Sequence, residues 1–98
     1  MSIEFEWDES KNRANVAKHG ISFVDAVAVF DDPLCQTQHD RIESGEMRWR
    51  TIGSIGRFRI VLVAHTIFDD DWNVEIFRLI SARPATKKEI RDYEREAG

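Results

Sequence analysis

The second half of the chain contains three segments with the residue pattern of β-strands, and this feature constrains the fold more than any other. The segments are residues 47–52, 57–66 and 74–81, and Gly-containing or Asp-rich turns separate them. The middle segment begins with alternation and becomes continuously apolar toward His65, which is typical of a strand that is covered on both faces. The sequence therefore predicts an antiparallel sheet with His65 near a buried strand end.

Two helices are predicted before this sheet. Asp8 is an N-cap residue for a short helix over residues 9–18, and Gly20 supplies the left-handed residue that ends it. A second, more apolar helix should begin after Ser22 and stop near Pro33, because proline cannot continue a helical hydrogen-bond ladder. Both helices are short, and the first is mostly polar.

The two ends of the chain complete the predicted architecture. Residues 3–7 alternate apolar and acidic side chains and predict a first strand. Residues 34–46 are ambiguous, and one interpretation is a short strand followed by a polar loop that ends at Gly45. Thr86 and Glu89 have capping-box spacing for a terminal helix over residues 87–96. We therefore expect all 98 residues to form one α+β domain, with the helices on one face of a mostly antiparallel sheet.

The charge distribution limits where a nucleic acid can bind. The formal net charge is −4, but residues 1–46 carry four Lys/Arg and ten Asp/Glu, whereas residues 47–98 carry ten and eight. Phosphate contacts are therefore expected in the second half. With no secretory or membrane-spanning pattern, and with Cys35 as the single cysteine, we expect a cytoplasmic protein whose thiol is structural or inert.

Several short segments resemble one known family in their order and spacing. They are FEWD at residues 5–8, KHGI at 18–21, FDDP at 30–33, VAHT at 63–66 and ISAR at 80–83. In these segments the sequence is similar to the BrnT family of RelE-like ribonuclease toxins, although the acidic turn at 68–73 departs from that family's pattern. The resemblance implies a RelE-like fold, RNA cleavage that arrests growth, and a BrnA-like antitoxin that neutralises the toxin and binds operator DNA through a ribbon-helix-helix domain.

Cleavage of RNA by its own 2′-hydroxyl requires a base, an acid and cations near the phosphorus. The scattered histidines and Cys35 do not have metal-ligand spacing, so we expect no metal and no other cofactor. His65 is the candidate acid or base, and a buried histidine bonded to a carbonyl is the alternative interpretation. Arg59 is an even number of residues from His65 on the same predicted strand, so both side chains should point to one face. Arg83 follows the last strand, and these three residues form the predicted catalytic centre.

Other basic side chains are candidate RNA contacts. Arg48 and Arg50 flank Trp49, which is either a stacking ring or, more simply, a core residue. The remaining candidates are Arg57 on the middle strand and Lys87 and Lys88 on the terminal helix, where lysines are more often solubilising charges. His19 is a weaker alternative for catalysis, since a helix end also explains it.

The sequence and the resemblance together favour an mRNA interferase-like endoribonuclease toxin that acts without metal. One alternative is a non-catalytic module that binds RNA or a protein through the same sheet face, and another is a purely structural interaction subunit. The acidic net charge favours these alternatives.

Overall fold

The computed structural model describes residues 2–56 and 59–97. The elements in chain order are β1 (Ser2–Glu6), α1 (Glu9–His19), α2 (Phe23–Ala26), a 3-10 helix (Val27–Asp31), β2 (Gln36–Glu43), β3 (Glu46–Ile55), β4 (Arg59–Asp69), β5 (Val74–Pro84) and α3 (Lys87–Ala97). The expected α+β class is confirmed, and each predicted strand and helix is present with bounds that shift by a few residues. The second predicted helix is divided into α2 and the 3-10 helix.

The five strands form one sheet in the order β1-β5-β4-β3-β2. β1 pairs with β5 in parallel, whereas the other three pairings are antiparallel. The sheet is therefore mostly antiparallel, as predicted, with β1 and β2 at its two edges.

Alternation along β4 gives the sheet two different faces. Val61 and Val63 are fully buried in a core with Ile21 and Phe23 from the region of α1 and α2, and we call this side the helix face. The half-buried side chain of Leu62 lies on the other side, which we call the open face. This division decides which polar residues can reach a large ligand.

Local hydrogen bonds explain why α1 begins and ends as predicted. Asp8 accepts hydrogen bonds from the backbone amides of Ser10 and Lys11, and Gly20 has a left-handed φ of 71°. The buried side chain of Asn15 contacts Ile21 and also donates to the carbonyl of Ala82 and accepts from its amide, which joins α1 to β5. No helix in residues 2–56 or 59–97 is long and apolar enough to cross a membrane.

The ambiguous segment before β3 is a strand. Ser44 and Gly45 both have positive φ, 52° and 76°, and such two-residue turns match the twist of a hairpin. β2 and β3 therefore pair across this turn. Farther along β3, Gly53 lies so close to the 3-10 helix that an added Cβ would be 2.8 Å from the carbonyl oxygen of Val29.

The terminal helix does not lie with the others. Glu89, Asp92 and Tyr93 of α3 line a cavity together with sheet residues of the open face, Leu62 among them. The expectation that all helices cover one face is therefore wrong, because α3 covers one end of the open face. Tyr93 anchors it by donating a hydrogen bond from its hydroxyl to Asp32.

Candidate active site

The open face carries four arginines on its central strands. Arg48 and Arg50 alternate with Trp49 on β3, and Arg78 and Arg83 are on β5. Three of them pair with alternate residues of β4, which lie on one face of that strand. The pairs are Arg83 with Leu62, Arg50 with Ala64, and Arg78 with Thr66. Cross-strand partners share a face, so the four guanidinium groups belong to one surface.

Two of these arginines line a common cavity. The residues around it are Asp40, Arg41, Arg50, Leu62, Ala64, Ser81 and Arg83. The floor consists of small or apolar side chains of β4, whereas the polar groups come from the flanking strands. The arrangement combines positive charge with one carboxylate and one hydroxyl, so it is suited to an anionic, polar substrate.

Arg83 is held rigidly at the rim of this cavity. Its Nη1 and Nη2 atoms donate to the two carboxylate oxygens of Glu89 at 2.8 and 2.9 Å. The same carboxylate accepts from the amide of Thr86, and the Thr86 hydroxyl accepts from the amide of Glu89, so the predicted capping box is present. The hydrogen bonds from Arg83 lower the pKa of Glu89 to about 2 and raise that of Arg83.

His65 lies on the helix face and is fully buried. Its ring stacks on Phe77 at 5.1 Å between centroids and meets the edge of Phe30 at 5.2 Å. The Nε2 atom is hydrogen-bonded to the Thr51 hydroxyl at 2.7 Å, and the Nδ1 atom lies 3.2 Å from the carbonyl oxygen of Thr66. Burial lowers the pKa of His65 to about 4.

The expectation that His65, Arg59 and Arg83 share one surface is therefore wrong. Arg59 and His65 do point to the same side of β4, but that side faces the helices, and the two residues are six positions apart on the strand, or roughly 20 Å. Arg83 points to the open face instead. His65 fits its alternative interpretation as a hydrogen-bonded core histidine, and Arg59 is an exposed residue at the beginning of β4.

The remaining basic candidates are distributed over the molecule. Arg48 and Arg50 lie on the open face, and Arg57 lies outside the described residues. Lys87 and Lys88 are exposed on α3, and the second of them pairs with Asp92 at 3.1 Å. The α3 side chains that line the cavity with Leu62 are acidic or aromatic rather than basic.

The other aromatic and histidine candidates lie away from the cavity. Trp49 is half-buried on the helix-face side of β3, where its ring meets His39 edge-on at 4.1 Å. His19 is the last residue of α1, directly before Gly20. Neither lines the cavity with Arg50 and Arg83.

Comparison with known proteins identifies the family. A family model described as the ribonuclease toxin BrnT of a type II toxin-antitoxin system matches residues 7–89. The chain belongs to the BrnT family. Among solved structures, the Brucella abortus ribonuclease toxin BrnT is similar with a TM-score of 0.62 and 24% identity, over 89% of this chain and 100% of that one. At this identity the likeness supports the fold alone, and curated proteins give no match.

Four polar residues of this site were not among the sequence candidates. Asp40, Arg41 and Ser81 line the cavity, and Arg78 lies on the same face. The alternation of side chains along β5 could have indicated which face Ser81 and Arg78 share. A β-bulge opposite Ala64 and His65 interrupts this alternation between the two residues. Asp40 and Arg41 could not be found, because the sequence left it open where the short strand in residues 34–46 ends and the polar loop begins.

The described part of this BrnT-family chain contains no group of three or more His, Cys, Asp or Glu side chains that is arranged to hold a metal ion. The positive charge at the cavity comes instead from arginines. Cys35 is half-buried, and its pKa is raised by burial and by the nearby charge of Asp32. A raised pKa disfavours the reactive thiolate.

Proposed function

We propose that this chain is a RelE-like endoribonuclease toxin that cleaves RNA in the cytoplasm at the open-face cavity of Arg50 and Arg83. One observation carries the proposal. Three arginines from three different strands, Arg41, Arg50 and Arg83, line one cavity with a carboxylate and a hydroxyl, in a chain of the BrnT ribonuclease toxin family. Anionic RNA is the substrate that this charge pattern fits.

The proposed reaction begins with attack of a ribose 2′-hydroxyl on the adjacent phosphorus. The bond to the 5′-oxygen of the next nucleotide breaks, and that oxygen takes a proton from solvent water. Arg50 and Arg83 would stabilise the charge that develops on the phosphorane oxygens, which makes a metal unnecessary. Asp40 is the single carboxylate among the seven lining residues and is proposed to accept the hydroxyl proton. Glu89 keeps the planar Arg83 fork in a fixed orientation.

A cleavage assay with matched arginine variants tests this site. Arg50→Ala should slow cleavage of a labelled RNA by roughly 10²-fold, since it removes a donor to the transition state. Arg59→Ala is the control, because it removes the same charge from the other face. Equal rates for the two variants would place the reaction elsewhere.

Asp40 has its own test. Asp40→Asn should lower the rate by roughly 10²-fold, because the amide cannot accept a proton. Cleavage at the parental rate by a folded Asp40→Asn variant would exclude Asp40 as the base.

The proposed partner is a BrnA-like antitoxin with a ribbon-helix-helix domain that binds operator DNA. An acidic or amphipathic segment of it would cover Arg48, Arg50 and Arg83 and so exclude RNA. Expression of the toxin alone should arrest growth, and co-expression should restore it. Charge reversal of the three arginines should weaken the complex, and an unchanged affinity would show that the antitoxin docks on another surface.

A non-catalytic RNA-binding module is the second candidate. None of the seven described residues at the cavity is a histidine, the side chain that most often transfers protons near neutral pH. A labelled RNA that is shifted on a gel but remains intact would favour this alternative.

A further inference from the structure

A second group of polar residues on the open face lies beyond the proposed cleavage cavity. Thr66 of β4 is paired in register with Arg78 of β5. β3 lies on the other side of β4, and its Trp49 pairs with His65. Because the two strands are antiparallel, Arg48, the residue before Trp49, lies opposite Thr66. Thr66 is thus flanked by two guanidinium-bearing side chains. Leu62, the partner of Arg83, is four residues away along β4, or roughly 13 Å.

Two atoms in this group are buried without a hydrogen-bond partner among the described residues. They are the hydroxyl oxygen of Thr66, a residue that is 2% exposed, and the Nε atom of Arg48. Buried polar groups are normally satisfied, and an unsatisfied one is unfavourable. Both groups can donate a hydrogen bond, so a ligand with several acceptor oxygens would satisfy both once the flexible Arg48 and Arg78 side chains turn away from Thr66 to bind it.

The charges around Thr66 favour an anion. Arg48 pairs with Glu43 at 3.6 Å, and Arg78 pairs with Glu6 at 3.2 Å. Such pairs at a surface contribute little stability, so a phosphate can replace the carboxylates as the partner of both guanidinium groups. A guanidinium can also donate two parallel hydrogen bonds to phosphate.

An aromatic ring lies beside the same arginine. The guanidinium carbon of Arg78 is 5.7 Å from the centroid of Phe68. Phe68 is 37% exposed, and its cross-strand partner is Ile76. Exposed aromatic rings beside a basic groove stack on the bases of single-stranded nucleic acids.

We infer that Arg48, Thr66, Arg78 and Phe68 form a nucleotide-binding subsite for single-stranded RNA, in which the arginines and the Thr66 hydroxyl bind a backbone phosphate and Phe68 stacks on a base. The inference rests on the proposed function and extends it. The subsite holds a nucleotide at a distance from the one being cleaved, so it sets the polarity and minimum length of a good substrate.

The test measures binding without cleavage. The probe is a fluorescently labelled single-stranded 2′-O-methyl RNA, which lacks the attacking hydroxyl, and the affinity is measured by anisotropy at several salt concentrations. Arg78→Ala should raise Kd about 10-fold and reduce the slope of log K against log salt by about one. Phe68→Leu should raise Kd about 10-fold with the same slope, because stacking carries no charge.

Two further variants complete the test. Thr66→Val preserves the side-chain shape and should also raise Kd. Arg13→Ala is the control, since it removes one positive charge from exposed α1 and should leave Kd nearly unchanged. Thermal melting checks that each variant is folded.

The possible results distinguish failure of this inference from failure of the proposed function on which it rests. If Arg50→Ala weakens binding but the Arg78, Phe68 and Thr66 variants match the parent, the subsite is wrong and the proposed function stands. If the parent itself does not bind the RNA, both are wrong. If these variants alter antitoxin affinity alone, the surface belongs to a protein partner and the subsite is overturned.

Discussion

The ion pair of Arg83 and Glu89 gives a prediction with a calculable size. Glu89→Gln preserves the capping box, because glutamine also serves at that position, but it removes the charge that pairs with Arg83. The pKa of Glu89 falls from 4.5 to about 2, which corresponds to about 3 kcal/mol at most. The side chains are 37% and 23% exposed, so solvent screening reduces the expected loss at pH 7 to about 1–2 kcal/mol.

The pH dependence has a defined sign. Because the folded pKa of Glu89 is depressed, its contribution is fully present above about pH 4.5 and disappears as the pH falls through about 2. Urea unfolding of parent and Glu89→Gln should therefore differ at pH 7 and converge in acid. Glu94→Gln is the control, on the same helix and exposed. Equal stability of parent and Glu89→Gln at pH 7 would refute the reasoning.

Two other predictions concern the helix face. Burial lowers the pKa of His65 to about 4, so the free energy of unfolding should fall by about 3 kcal/mol from pH 6.5 to 4. His65→Gln should flatten this part of the plot of unfolding free energy against pH, and a slope that persists in the variant would contradict the assignment. Asn15→Ala should destabilise the fold by about 2–4 kcal/mol, measured by urea unfolding, because it leaves buried backbone groups of Ile21 and Ala82 unsatisfied; a loss below 1 kcal/mol would contradict this.

Local signals in the sequence were sufficient for the helix ends and most strands. Asp8 and Gly20 bound α1, and Thr86 with Glu89 begins α3, because a cap is formed by residues within one turn of each other. The bounds of β2 stayed ambiguous because its exposed residues lack apolar alternation. Its Ser44-Gly45 turn was a usable signal.

The orientation of the site could not be predicted from local patterns. Alternation along β4 correctly predicts that Arg59 and His65 point to the same face of the sheet, but it does not indicate which face the helices cover. That face is decided by packing of Ile21 and Phe23 against Val61, which are distant in sequence. The position of α3 on the opposite face depends on similarly distant contacts, such as the hydrogen bond from Tyr93 to Asp32.

The most direct test of the central proposal is an end-group analysis of RNA treated with the purified chain in the presence of EDTA. Attack by the 2′-hydroxyl at an arginine-lined cavity predicts cleavage that persists in EDTA and yields 2′,3′-cyclic phosphate and 5′-hydroxyl ends. Cleavage that stops in EDTA, or that yields 5′-phosphate ends, would contradict the mechanism. RNA that remains intact would contradict the enzymatic function itself.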